Sequence, residues 1–308
     1  MSLNSSERTV GIFAVLFASL LWGTTGTAAT FAPQVSAVAI GAVAMGVGGL
    51  LQAAIAANSL VKYAPTLLKN WNLLLIGALA VVVYPLAFYA SMHLAGVTVG
   101  TVISIGSAPL LSALIEYRLD GQRLSRRWMF GAAIGVTGML LLSVAEKGGQ
   151  GESAESSQIM AGVILGLVAG FTYALYSWAA RRLMQQQIPS RAAMGATFGL
   201  GGLLLMPVLA LTGAPLLASW NNAAVGAYMA LVPMFIGYLC YGFGLARISA
   251  SMATTITLIE PVVAAILAVV IVGERLPPLG WLGIGLVVAC LLVITLPVQY
   301  RYSRSRNA

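Results

Sequence analysis

The second half of this chain repeats the first, and the repeating unit holds an odd number of membrane-length segments. Residues 84–142 align with residues 236–294 at an offset of 152, so that Tyr89 falls on Tyr241, Pro109 on Pro261, Gly121 on Gly273, Arg123 on Arg275, Leu124 on Leu276 and Gly131 on Gly283. Nearer the start the offset is 151, pairing Gly11 with Gly162, Ala18 with Ala169 and Trp22 with Tyr173. Segments of about 20 nearly uncharged residues are long enough, at roughly 1.5 Å rise each, to cross a hydrocarbon core of about 30 Å. They fall at 10–31, 35–57, 72–92, 97–117 and 126–144, then at 159–181, 192–212, 223–244, 251–272 and 279–298. Five crossings leave the chain on the opposite side, so the second copy enters the membrane upside down. The expected fold is an all-α polytopic membrane protein, with ten transmembrane helices as two inverted five-helix repeats around a central cavity. The first repeat covers 1–145, an extracytoplasmic linker 146–158, and the second repeat 159–308. Alternating access in carriers is commonly built on such inversion.

Composition agrees with lipid as the solvent: 59% of residues are hydrophobic and 8% charged, where an ordinary soluble domain is roughly 25% charged. Ten spans use up nearly the whole length, which places any binding between helices. With a cytoplasmic N-terminus, 14 of the 16 basic residues lie on one side: Arg8, Lys62, Lys69, Arg118, Arg123, Arg126, Arg127, Arg181, Arg182, Arg191, Arg247, Arg301, Arg304 and Arg306. Lys147 and Arg275 fall on the other. That asymmetry is the positive-inside pattern, and it puts both termini in the cytoplasm. It also accounts for the net charge of +8 without nucleic acid as a partner. The first segment has too long an apolar run, behind Arg8 alone, for a cleaved signal peptide, and it reads as a retained helix. Gly, Ser and Glu dominate 146–157, as in a flexible linker.

Several chemistries lack their residues. Cys240, Cys290 and His93 are scattered, which argues against a metal site, a disulfide or a protease dyad. No cofactor is expected, and an enzyme is disfavoured. Small residues recur every four positions, at Gly162, Gly166 and Gly170 and at Gly195 and Gly199, a spacing that lets helices approach closely. A homodimer through one such face is compatible with the sequence, as is a monomer.

A central site should show polar or aromatic side chains near mid-membrane at corresponding places in both halves. Trp22 and Tyr173 meet this condition, as do Tyr89 and Tyr241; Tyr84, Phe88, Tyr176 and Tyr238 lie one turn or so from them. Plain aromatic packing is the competing account of each ring. Thr101 and Ser104 precede Pro109, and Thr257 precedes Pro261, so hydroxyls lie beside carbonyls that a mid-helix proline frees. Those hydroxyls serve either a substrate or their own backbone. Glu260 is the acid deepest in a span; at the bilayer centre a carboxylate costs about 2.5–3.5 kcal/mol. It has either a substrate amine or proton to handle, or a structural hydrogen bond to another helix.

With Trp22-Gly23, Glu260-Pro261 and Gly273-Glu274-Arg275-Leu276 in place ahead of a Gly-rich last helix, the chain resembles the EamA-type members of the drug/metabolite transporter superfamily over essentially all ten spans. Within that superfamily it looks most like the YddG-like exporters of aromatic and other amino acids. The first repeat departs from the second in having Ala108 opposite Glu260 and Gln122 opposite Glu274. The resemblance implies a multi-pass protein of a bacterial inner membrane that exports a small molecule, an amino acid or similar metabolite, through a cavity between the halves. A multidrug or nucleotide-precursor exporter and a channel-like facilitator are the alternatives.

Overall fold

The computed structural model describes residues 5–95, 97–146, 156–273 and 275–296. Its elements are α1 (Ser6–Thr30), α2 (Ala37–Lys69), α3 (Trp71–Ala95), α4 (Val97–Asp120), α5 (Arg126–Glu146), α6 (Ser156–Gln185), α7 (Ser190–Thr212), α8 (Trp220–Leu245), α9 (Ala250–Ile271) and α10 (Pro278–Thr295). Among the described residues nine helices are long and apolar enough to cross a membrane. α5, which opens on Arg126 and Arg127, is not among the nine but runs beside α10. Most of the expected linker, together with Lys147, Glu274, Arg301, Arg304 and Arg306, lies outside the described residues.

Local chemistry sets the boundaries. Ser36, Ser219 and Ser249 each accept a backbone N–H from three residues on, capping α2, α8 and α9. Gly121 and Gly273, which are repeat mates, both adopt left-handed backbone, φ +67° and +82°, where α4 and α9 end. A Cβ would meet nothing around it at either place, but L residues are strained in this backbone conformation, so glycine is favoured at both.

Helix pairing follows the repeat. Glycines bring backbones together along antiparallel seams. Gly46 and Gly49 face Gly202, and Ala53 and Ala56 face Gly199 and Gly195, between α2 and α7. On the α5–α10 seam, Gly131 lies against Ile294, Gly135 against Cys290 and Gly138 against Gly283. The end of α4 meets the start of α9, where Glu116 accepts the Ala250 N–H. Each of these pairs joins a helix to its own repeat mate, running the other way. The remaining seams exchange with one another when the halves are swapped. On one, α1 meets α8, with Gly11 against Gly244 and Trp22 against Gly237; on the other, α3 meets α6, with Ser91 against Gly166 and Ala95 against Gly162. Such a set of contacts is what a two-fold axis lying in the membrane plane produces. The inversion that segment counting demanded is therefore present in the packing.

Candidate substrate-binding site

Eight of the expected aromatic residues form one continuous cluster across both halves. Trp22 meets Tyr238 and Tyr241 at centroid distances of 4.7 and 5.2 Å. Tyr84 touches Phe88, Tyr173 and Tyr176 at 5.8, 5.5 and 5.8 Å, and Phe88 touches Tyr89 at 5.3 Å. Phe198 of α7 closes the circuit, 4.4 Å from Tyr238 and 5.4 Å from Tyr176. The repeat could not reveal Phe198, because at an offset of 152 its mate is Gly46.

Hydrogen bonds fix the rings. Trp22 Nε1 donates to Pro233 O at 2.8 Å. That carbonyl lies within a π-helical stretch, Ala230–Ile236, where the wider winding around Pro233 leaves an acceptor for a neighbouring helix. Tyr173 Oη donates to Thr257 Oγ1 at 2.9 Å, tying α6 to α9, and Thr257 Oγ1 in turn donates to Thr254 O. The Tyr176 and Tyr238 hydroxyls share a 2.7 Å bond, as do Ser177 and Tyr241 at 2.8 Å. A carbonyl freed by Pro261 was expected at Thr257; instead α9 turns there, and Thr257 O accepts the Glu260 N–H at 3.0 Å. The turn re-satisfies the group that proline would have stranded.

Glu260 follows directly, its carbonyl lying against Gly23 beside Trp22. Its carboxylate is within electrostatic range of Tyr84, Tyr89, Tyr173 and Tyr238. Among the described residues it makes no hydrogen bond or ion pair. Tyr84, Tyr89 and Glu260 lie deep among protein atoms yet keep part of their surface accessible. Tyr176, Ser177 and Tyr241, nearer the arginine-rich end, are fully buried. The cluster thus has an accessible face and a sealed face.

Thr101 and Ser104 are less engaged. Thr101 is half-buried, and Ser104 is buried against Gly170 of α6 with no partner for its hydroxyl. Neither belongs to the ring network.

Beyond the sealed face lies a cluster of charges the sequence did not single out. Glu116 sits at the end of the fourth expected span and is 1% exposed, so Glu260 is not the one well-buried acid. It accepts the N–H groups of Ala250 at 2.7 Å and Ser251 at 3.2 Å, and pairs with Arg181 at 3.7 Å. Arg181 Nε donates to Ile248 O, and Asp120 receives Trp178 Nε1 at 2.9 Å and Arg182 at 3.3 Å. These bonds tie α4, α6 and α9 together at the arginine-rich end.

Inverted bundles meeting around a mid-depth cluster define a membrane transporter. The EamA-like transporter family model matches residues 9–144 and 160–296, and the chain belongs to that family. It is 32% identical to the uncharacterized transporter YwfM of Bacillus subtilis over 91% of this chain and 92% of that one. Identity is 27% to a probable terminal-alkyne amino-acid exporter of Streptantibioticus cattleyicolor, over 89% and 92% of the two chains. Threonine/homoserine exporter RhtA of Escherichia coli is 26% identical over 46% of this chain and 47% of its own. A solved crystal structure superposes with a TM-score of 0.74 at 21% identity, covering 94% of this chain and 96% of the other, which establishes the shared fold.

Proposed function

We propose that this transporter exports amino acids, aromatic and other neutral ones, or closely related metabolites, by alternating access. The observation that carries the reading is Glu260: an acid with no hydrogen bond or ion pair among the described residues, deep in a span, on the accessible face of an aromatic cluster contributed by both halves. An α-ammonium group supplies a positive charge opposite Glu260, and the faces of Tyr84, Phe88 or Tyr89 beside Trp22 receive it by cation–π attraction of about 0.5–2 kcal/mol. Tyr173, Tyr176, Tyr238 and Tyr241 form the floor of the site, Thr257 is spent on holding Tyr173, and of the expected hydroxyls the half-buried Thr101 is the one left for the substrate carboxylate. Amino-acid exporters among the relatives support this substrate class. The closer likeness to YddG-like exporters, the ten-span count and the division at 145 and 159 belong to the same proposal.

Both termini are placed in the cytoplasm by the arginine bias. With that orientation the Glu116 and Asp120 ties close the cytoplasmic end, and the partly accessible face of the cluster looks outward. Export then requires those ties to open so that substrate enters from inside. Proteoliposomes loaded with labelled amino acids test the reading: saturable efflux that unlabelled substrate accelerates from the far side is expected. Failure of every amino acid, with transport of drugs or nucleotide precursors, would replace the substrate; unsaturating conductance would replace the carrier with a channel-like facilitator.

A further inference from the structure

A cavity of about 220 Å³ opens at the arginine-rich end, away from the aromatic cluster. Arginines from three separate places converge on it: Arg8 of α1, Arg123 of the α4–α5 connection and Arg127 of α5. Ser125, Ser249 and Ser251 add hydroxyls. The one acid in its wall, Glu116, is already committed to two backbone N–H groups and Arg181. Arg127 is held in place by the Val293 and Leu296 carbonyls at the end of α10, while Arg123 makes no hydrogen bond or ion pair among the described residues. The cavity is therefore a net-positive recess whose guanidinium groups match phosphate geometry.

Its surroundings identify the source of the phosphate. Leu124, Trp128, Met252 and Ile294 put apolar surface into its wall, and exposed Phe130 lies one turn beyond Arg127 on the same face of α5. An anion from bulk water has no use for apolar walls beside its site; a phospholipid has acyl chains to lay on them. We propose that this recess binds the headgroup phosphate of one anionic phospholipid, its chains running along α5. The occupant bears on Ser249 and Ser251 in the first turn of α9, beside the Glu116 tie, so lipid binding favours the conformer closed at this end. The site is independent of what the central cluster carries, and its test uses no transport.

Native mass spectrometry of the full-length protein, equilibrated with phosphatidylglycerol and phosphatidylcholine at equal concentration, reads the site directly. One phosphatidylglycerol should be retained in preference to phosphatidylcholine. The Arg8→Gln/Arg123→Gln variant should bind it roughly thirtyfold more weakly, at about a kcal/mol for each basic side chain near the headgroup plane. Arg123→Gln alone, an exposed substitution that leaves packing intact, should lose roughly fivefold. Lys62→Gln/Lys69→Gln, which removes the same charge elsewhere, should retain the wild-type preference. Equal retention of the two lipids by the wild type, a preference that survives in the arginine variants, or an equal loss in the lysine control would each overturn the proposal. Displacement of phosphatidylglycerol by millimolar inorganic phosphate would overturn it too, by assigning the recess to a free anion.

Discussion

Glu260 and Glu116 are both buried acids, and their partners assign them different work. Glu116 has its lone pairs filled by Ala250, Ser251 and Arg181, whereas Glu260 has none filled among the described residues. Glu260→Gln keeps the shape and removes the charge, so transport should fall at least tenfold with little change in thermal stability. Glu7→Gln, which breaks an exposed pair with Arg247 worth about 0–1 kcal/mol, should transport as the wild type does. Equal transport by the two variants at equal expression would remove Glu260 from the mechanism. Trp22→Phe keeps a ring but strands Pro233 O; the lost hydrogen bond should cost about 0.5–1.5 kcal/mol, read as a lower unfolding temperature in detergent. An unchanged melting temperature would mean that the π-helical carbonyl is satisfied some other way.

At the scale of elements, seams between helices depend on small residues only where backbones touch. A side chain at Gly138 would lie 2.7 Å from the Gly283 carbonyl, while one at Gly285, two residues further along α10, would meet nothing within 4 Å. Gly138→Val should therefore part α5 from α10 and cost about 1–3 kcal/mol. Gly285→Ala should be neutral or stabilise α10 by up to about 1 kcal/mol. Similar melting temperatures for these two variants would contradict the seam. Glu116→Gln tests the tie between α4, α6 and α9: the Arg181 pairing and one strong acceptor are weakened, costing about 1–3 kcal/mol. A cysteine placed at Ser177 should then become more reactive to a water-soluble maleimide from the arginine-rich side. Unaltered labelling would show that the tie does not gate access.

For the whole molecule, the segment pattern, the repeat and the charge bias made the inverted architecture legible before any coordinate. Each depends on a quantity local in sequence: apolar length, spacing and loop charge. Oddness of the repeat is enough to invert it, and the seams Gly46–Gly202 and Gly138–Gly283 realise the expectation. Tags on both termini, probed from each side of oriented vesicles, should be accessible from the same side; opposite exposure would remove the inverted reading of the whole chain.

Fewer features of the site could be read in advance. Sequence symmetry picked out Trp22, Tyr173, Tyr89 and Tyr241, because each half presents an aromatic residue at the same place. It passed over Phe198 and Glu116, whose mates at an offset of 152 are Gly46 and Ala268, since a residue used in one half alone leaves no echo in the other. It also left Glu260 divided between two roles. What the sequence by itself determined is the solvent, the helices and their inversion, because these follow from hydrophobicity summed along segments. Only tertiary structure decided which acid has its lone pairs filled among the described residues and where Trp22 finds its acceptor. Those depend on groups more than a hundred residues apart meeting within hydrogen-bonding distance, and such a meeting is a property of packing that no local pattern encodes.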